Sequence, residues 1–177
     1  MQVFNFNRLS KGRAILLKDI ANYIKQTTFI TIGKYSEWTD ETNPPPVTEF
    51  TAKEEIIIYK RPRLIMLASQ TNCGGISCGN KIIDNNNYYL IDPSNPEVID
   101  SNATHIYIEG DIRYTDYLSA YFRTSSIVVG AIAPNNNKVL YKPEEMINKG
   151  QPYISTNHTR ITRLDNQRHL IKQLIEL

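Results

Sequence analysis

Apolar residues recur at helical spacing over only one long stretch of this chain. Across residues 8–26, Leu9, Leu16, Leu17, Ile20, Tyr23 and Ile24 follow the i, i+3, i+4, i+7 repeat of an amphipathic helix. Lys11, Arg13, Lys18, Asp19 and Lys25 take the other side, and Ser10 stands where an N-cap belongs. A helix with one apolar face must dock on something.

Elsewhere the pattern is that of short strands. Residues 28–33 are β-branched and aromatic and close on Gly33. Residues 63–69 predict a buried strand. Residues 49–67 as a whole are ambiguous: Phe50 and Ile57 share a helical face, Ile56-Ile57-Ile58-Tyr59 favours β, and Pro62 ends any helix near Lys60. Residues 81–84 and 88–91 flank Asn85-Asn86-Asn87, which predicts a hairpin with a three-residue loop. Residues 93–100 form a loop. His105 to Glu109 alternates as a half-buried strand that stops at Gly110, and 125–133 resembles a core strand. Pro143 to Ile147 predicts one helical turn, closed by Gly150. The last eight residues fit a helix or an edge strand. With no internal repeat and no linker, the fold class expected is α+β: one domain over 1–177, mostly antiparallel β, with an N-terminal amphipathic helix.

Residues 34–48 break every periodicity. Pro44, Pro45 and Pro46 impose an extended polyproline course that enters neither a sheet centre nor a helix. The only Trp of the chain, Trp38, lies six residues before them. A large aromatic on such a strap packs against a surface, of this chain or of a neighbour.

Composition narrows the classes. The chain has 177 residues, 41% hydrophobic and 21% charged, which excludes a disordered acidic tail, a collagen-like repeat and a membrane bundle. Its net charge of +2 is too balanced for a dedicated polyanion binder, so nucleic acid is not an expected partner. The start lacks a signal-peptide pattern, and no apolar run reaches the roughly 18–20 residues a membrane span needs. The expected compartment is a cytosol, with reduced thiols, and the two Asn-x-Thr matches at Asn102 and Asn157 are then chance.

Catalytic signals are weak. Cys73 and Cys78 have half of a zinc-ligand spacing, but His105, His158 and His169 supply no paired partner, and idle thiols in a Gly-rich loop are the plainer account. A disulfide formed after release into an oxidising medium is also compatible with that spacing. A thiol- or zinc-dependent hydrolase built on these residues is thus the enzyme alternative. Asp40 and Glu41 are adjacent acids beside the prolines, better explained as solvated than as an acid/base couple. Lys60-Arg61-Pro62-Arg63 and Arg160, Arg163 and Arg168 are basic clusters diluted by nearby acids, suited to pairing with carboxylates on this or another subunit. No catalytic residue, metal site or cofactor is expected.

The order of motifs resembles the baseplate wedge subunits of contractile-tailed bacteriophages. In that family a short helix precedes a strand ending in Ile-Gly and a W-x-D-E…P-P strap, matched by Ile32-Gly33, Trp38-Thr39-Asp40-Glu41 and Pro44-Pro45-Pro46. A Y-R-Q-like step is matched loosely by Tyr121-Phe122-Arg123. The closing G-x-x-Y…R-x-x-I-x-R-x-x-x-Q stretch is met with altered spacing by Gly150 to Tyr153 and by Arg160 to Gln167. Residues 70–118 match nothing in the pattern. The resemblance implies a non-catalytic virion part, assembled in the host cytoplasm in several copies and bound to other tail or baseplate subunits. It implies partner-binding roles for Trp38, Asp40, Pro44, Pro45, Pro46, Arg123, Arg160, Arg163 and Gln167. A connector or adaptor ring of a short-tailed phage is the alternative within the same class.

Overall fold

A computed structural model of the chain describes residues 10–34, 36–48, 55–71, 73, 78–83, 85–116, 121–135, 137–162 and 168–176. Among the described residues, one α-helix, α1 (Ser10–Thr27), is followed by ten strands in two five-stranded sheets. The first sheet has the order β8-β2-β1-β7-β9: β1 is Phe29–Gly33, β2 Ile58–Lys60, β7 Tyr121–Val129, β8 Leu140–Tyr141 and β9 Gln151–Thr162. The second has the order β10-β6-β3-β5-β4: β3 is Leu64–Ser69, β4 Gly79–Ile83, β5 Asn86–Ile91, β6 His105–Arg113 and β10 Arg168–Glu176. The strand pairs β1–β2, β1–β7, β2–β8, β3–β5, β4–β5 and β7–β9 are all antiparallel. The α+β expectation holds.

Chain contacts divide the protein into two units, a division that runs through α1, β6 and β10. The first comprises Met1–Tyr23, Leu64–Ile108 and Lys172–Leu177. Its core gathers Ala68, Ile83, Tyr88, Leu90 and Tyr107, with Met66 and Leu174 packed against them. The second comprises Ile24–Arg63 and Glu109–Ile171. One of its clusters is Phe29, Tyr59, Val128, Ala131, Tyr141 and Met146, where Phe29 meets Tyr59 and Tyr141 edge-on at 6.2 and 5.8 Å. The other is Ile30, Ile32, Ile58, Ile112 and Phe122.

Several sequence expectations are corrected. The buried stripe of α1 is Ala14, Leu17 and Ala21, whereas Leu16 and Tyr23 are exposed and Ile20 and Ile24 half-buried. Two alanines let the helix approach its packing surface closely, so the contact face is narrower and rotated relative to the bulky stripe. Leu9 and Phe50 lie outside the described residues. The strand from His105 does not stop at Gly110 but runs to Arg113. Gly110 lies where the sheet is closely packed: a Cβ there would press on Ile30 Cδ1, and the buried Ile30 side chain would have to shift. The β4–β5 hairpin pairs Ile83 with Asn86, leaving a two-residue turn with Asn85 at φ 63°, not a three-residue loop. The helical turn at Pro143 is a 3-10 turn ending at Glu145, and Gly150, at φ 66°, instead opens β9. The C-terminal run is the edge strand β10, not a helix. Cys73 and Cys78, expected as reduced thiols, are joined in a disulfide across a Cα–Cα distance of 6.4 Å, well within bridging reach.

Candidate interaction site on the second unit

The site builds outward from an irregularity in β9. Between Phe122↔Ile161 and Thr124↔Asn157, the single residue Arg123 of β7 faces His158, Thr159 and Arg160 of β9. A bulge of this size leaves backbone N–H and C=O groups without ladder partners. Because β9 is the last strand of its sheet, no further strand supplies them.

Segment 34–48 does so. Lys34 starts it in the left-handed region at φ 56°. The Trp38 indole Nε1–H donates to the His158 carbonyl at 3.0 Å, and the Glu41 carboxylate accepts the Arg160 backbone N–H. Glu41 also accepts the Trp38 backbone N–H at 3.0 Å and the Arg123 Nε–H at 2.6 Å. One carboxylate therefore ties segment 34–48, β7 and β9 together. Burial pushes the Glu41 carboxyl up, but the Trp38 N–H, the Arg123 guanidinium and the Arg160 N–H outweigh it and hold the group below the usual glutamate value. Farther along, Asn157 Nδ2–H donates to the Pro45 carbonyl at 2.9 Å.

Each sequence-derived site residue can now be placed. Trp38 is only 8% exposed, with the Lys34 ammonium 5.1 Å from its ring centroid. Arg123 is 1% exposed, the largest fully buried side chain described. Both are thus engaged within their own chain. Asp40 faces outward and accepts from Thr42 N–H at 2.9 Å and Thr42 Oγ–H at 2.7 Å, closing a local turn. The Thr42 hydroxyl, then the Thr42 N–H, keep the Asp40 carboxyl below its ordinary value. Pro45 and Pro46 are exposed and Pro44 is half-buried. Arg160 is exposed and stacks 5.4 Å from the Tyr121 ring centroid, while Arg123 lies 5.2 Å from the same ring. Arg163 and Gln167 lie outside the described residues.

Beside the bulge, Ser125 Oγ lies 3.2 Å from His158 Nε2 and 3.3 Å from His169 Nε2. Phe122 meets both imidazoles edge-on at 5.3 and 5.2 Å. Two of the three histidines considered as zinc ligands, His158 and His169, thus do meet, but without His105 and without the cysteines, which are bonded to each other and offer no free thiol to a metal or a substrate. No group of three or more His, Cys, Asp or Glu able to hold a metal occurs among the described residues. An open cleft of about 360 Å³ elsewhere in the unit is lined by Ile58, Asp116, Leu140, Tyr141 and Glu144. Of its charged groups, Asp116 pairs with Lys60 at 2.6 Å and Lys138 with Glu145. No helix among the described residues is long and apolar enough to cross a membrane.

Sequence reasoning passed over Ser125, read Glu41 as solvated, took Asn157 for a chance acceptor motif and weighed His158 only as a zinc ligand. Glu41 had a signal, since an acid three residues after Trp38 is spaced to reach back to the Trp38 N–H. Arg123 did too: a cation directly after Tyr121-Phe122, in a strand that ends on Ile127-Val128-Val129, calls for an anion to pair with. His158 and Asn157 act through backbone and bulge geometry that no residue pattern announces.

The arrangement is one of anchoring, with the W-x-D-E residues serving the bulge of an edge strand. A comparison with curated proteins finds no match. Residues 11–177 match the family described as baseplate wedge 3 tail fiber network component. That match takes in the helix, both sheets and the anchored segment, and the chain belongs to this family: it is a structural component of a bacteriophage baseplate wedge, a part of the virion.

Proposed function

We propose that the protein joins neighbouring subunits of the baseplate wedge through the outward face of segment 34–48 and the arginines that follow the β9 bulge. The observation that carries this reading is the division of labour within the segment. Trp38, Glu41 and the Pro45 carbonyl are turned to β7 and β9, while Thr39, Asp40, Pro45, Pro46 and Val47 are exposed. A proline-rich stretch already pinned at three points loses little entropy when a partner covers it. Arg160, stacked on Tyr121 and exposed, is the kind of rigid planar cation that dominates interface cores, and Arg163 and Gln167 extend the same stretch of sequence. The role is non-catalytic and needs no cofactor. The chain is made in the host cytoplasm, enters particles in several copies, and binds baseplate proteins, not membrane or nucleic acid.

The test replaces Pro45, Pro46 and Val47 with Gly, Ser and Ser in a complementation assay. Incorporation into baseplates falls at least tenfold while the purified variant keeps its thermal midpoint. Undiminished incorporation overturns the proposal.

A further inference from the structure

We propose that His158, Ser125 and His169 form a proton-sensitive latch that releases the Trp38 end of segment 34–48 when the surroundings turn mildly acidic. The inference concerns the second unit alone and does not depend on which subunit the segment meets.

The hydrogen bonds fix the tautomers. His158 Nδ1 lies 2.8 Å from the Thr159 carbonyl, which only accepts, so Nδ1 carries a hydrogen. In the neutral ring Nε2 is then a bare lone pair, and the hydrogen bond at 3.2 Å requires Ser125 Oγ–H to donate to it. Having spent its only hydrogen, Ser125 Oγ must accept from His169, so His169 Nε2 donates. The result is a directed chain, His169 Nε2–H to Ser125 Oγ–H to His158 Nε2, across β10, β7 and β9.

Protonation of His158 reverses one link. Its Nε2 becomes a second donor facing Ser125 Oγ, whose own hydrogen must then find another acceptor in a site where Ser125 is 4% exposed. The new charge appears on a ring packed on Phe122, 6.2 Å centroid to centroid from His169. The charged groups around the pair give little compensation. On β7, Arg123 is matched by Glu41 of segment 34–48; Lys34 lies over the Trp38 ring; Arg160 on β9 and Arg168 on β10 are further cations, the latter in the field of Asp111 on β6. Burial accordingly pushes the His158 imidazole below its ordinary value of 6.5, the Thr159 carbonyl opposing only in part. With the folded value below the unfolded one, the unfolded or opened form binds more protons, and stability is lost as pH falls through the region under 6.5.

The latch acts on Trp38 because the indole donates to the carbonyl of His158 itself. A His158 ring driven out of its pocket rotates the bulge that presents that carbonyl. Glu41 stays ionised through this range, its carboxyl lying below 4.5, so the segment opens at Trp38 while Glu41 still holds Arg123.

The experiment is a pH titration of tryptophan emission in the intact purified chain, whose single Trp is the reporter. Between about pH 7.5 and 5 the emission shifts to the red and acrylamide quenching rises at least twofold, with a midpoint below the ordinary histidine value of 6.5. Circular dichroism stays native over the same range. His158→Gln removes the midpoint, and Ser125→Ala, which deletes the hydroxyl that holds the neutral form, raises it. His105→Gln, which alters the histidine of the first unit, leaves it in place. Emission that stays constant down to pH 5, or an unchanged midpoint in both His158→Gln and Ser125→Ala, overturns the latch.

Discussion

Two edge strands of this protein are finished in opposite ways. In the first unit, β4 pairs with β5 residue for residue from Gly79↔Leu90 to Ile83↔Asn86, without a shift in register. Its backbone is finished locally, by a two-residue turn and a disulfide between residues five apart, while Ile83 packs into the core of the unit. In the second unit, β9 slips register twice against β7, and its stray backbone groups are met by side chains 120 and 119 residues distant along the chain. A regular edge can be specified by its own sequence. An irregular one has to be completed from elsewhere, and here the completing residues are the Trp and Glu of the W-x-D-E stretch.

That contrast can be broken by substitution. The largest effect belongs to Trp38→Ala, which removes a buried indole and strands the His158 carbonyl. Urea unfolding of the second unit loses about 3–5 kcal/mol. A loss under about 1 kcal/mol means the segment lies loosely on β9. Next come the two halves of the ion pair, which are not equivalent. Arg123→Met leaves an anion that water reaches, since the Glu41 side chain is 35% exposed, and costs about 2 kcal/mol. Glu41→Gln leaves a buried cation without its counter-charge and three donors with a poorer acceptor, so it costs more than Arg123→Met. Equal losses in the two variants contradict the asymmetry.

On the other edge, Cys73→Ser with Cys78→Ser opens a small loop, and the chain-entropy relation gives about 2 kcal/mol, read as a lower thermal midpoint that matches the wild type under reductant. Amide exchange in β4 and β5 accelerates in the same variant. The smallest change is Asn157→Ala, which deletes the donor to the Pro45 carbonyl at an exposed site and costs about 0.5–1 kcal/mol by the same unfolding assay.

What the sequence disclosed follows this division. The strands 28–33 and 63–69 and the hairpin partners around Asn85 were legible because alternation and turn chemistry are local. The family resemblance was carried by the same W-x-D-E and proline residues that turn out to be anchored. The face of α1 was misjudged because bulk was counted where close approach mattered: Ala14 and Ala21 are buried while Leu16 and Tyr23 are not. Gly110 looked like a terminator, since the need to clear Ile30 is a fact of tertiary packing. Glu41 looked solvated, because its partners Arg123 and Arg160 lie more than eighty residues away. Asn157, dismissed as a chance acceptor motif, binds the proline carbonyls through geometry that only the folded sheet supplies.

Arg123 carries one more implication. A guanidinium keeps its proton at any pH a virus meets, so Arg123, 1% exposed, cannot shed its charge and relies on Glu41 beside it. Lifting residues 34–48 off the sheet at Glu41 would break that pair and hand the guanidinium to water or to another acceptor, so the pair resists release of the segment there.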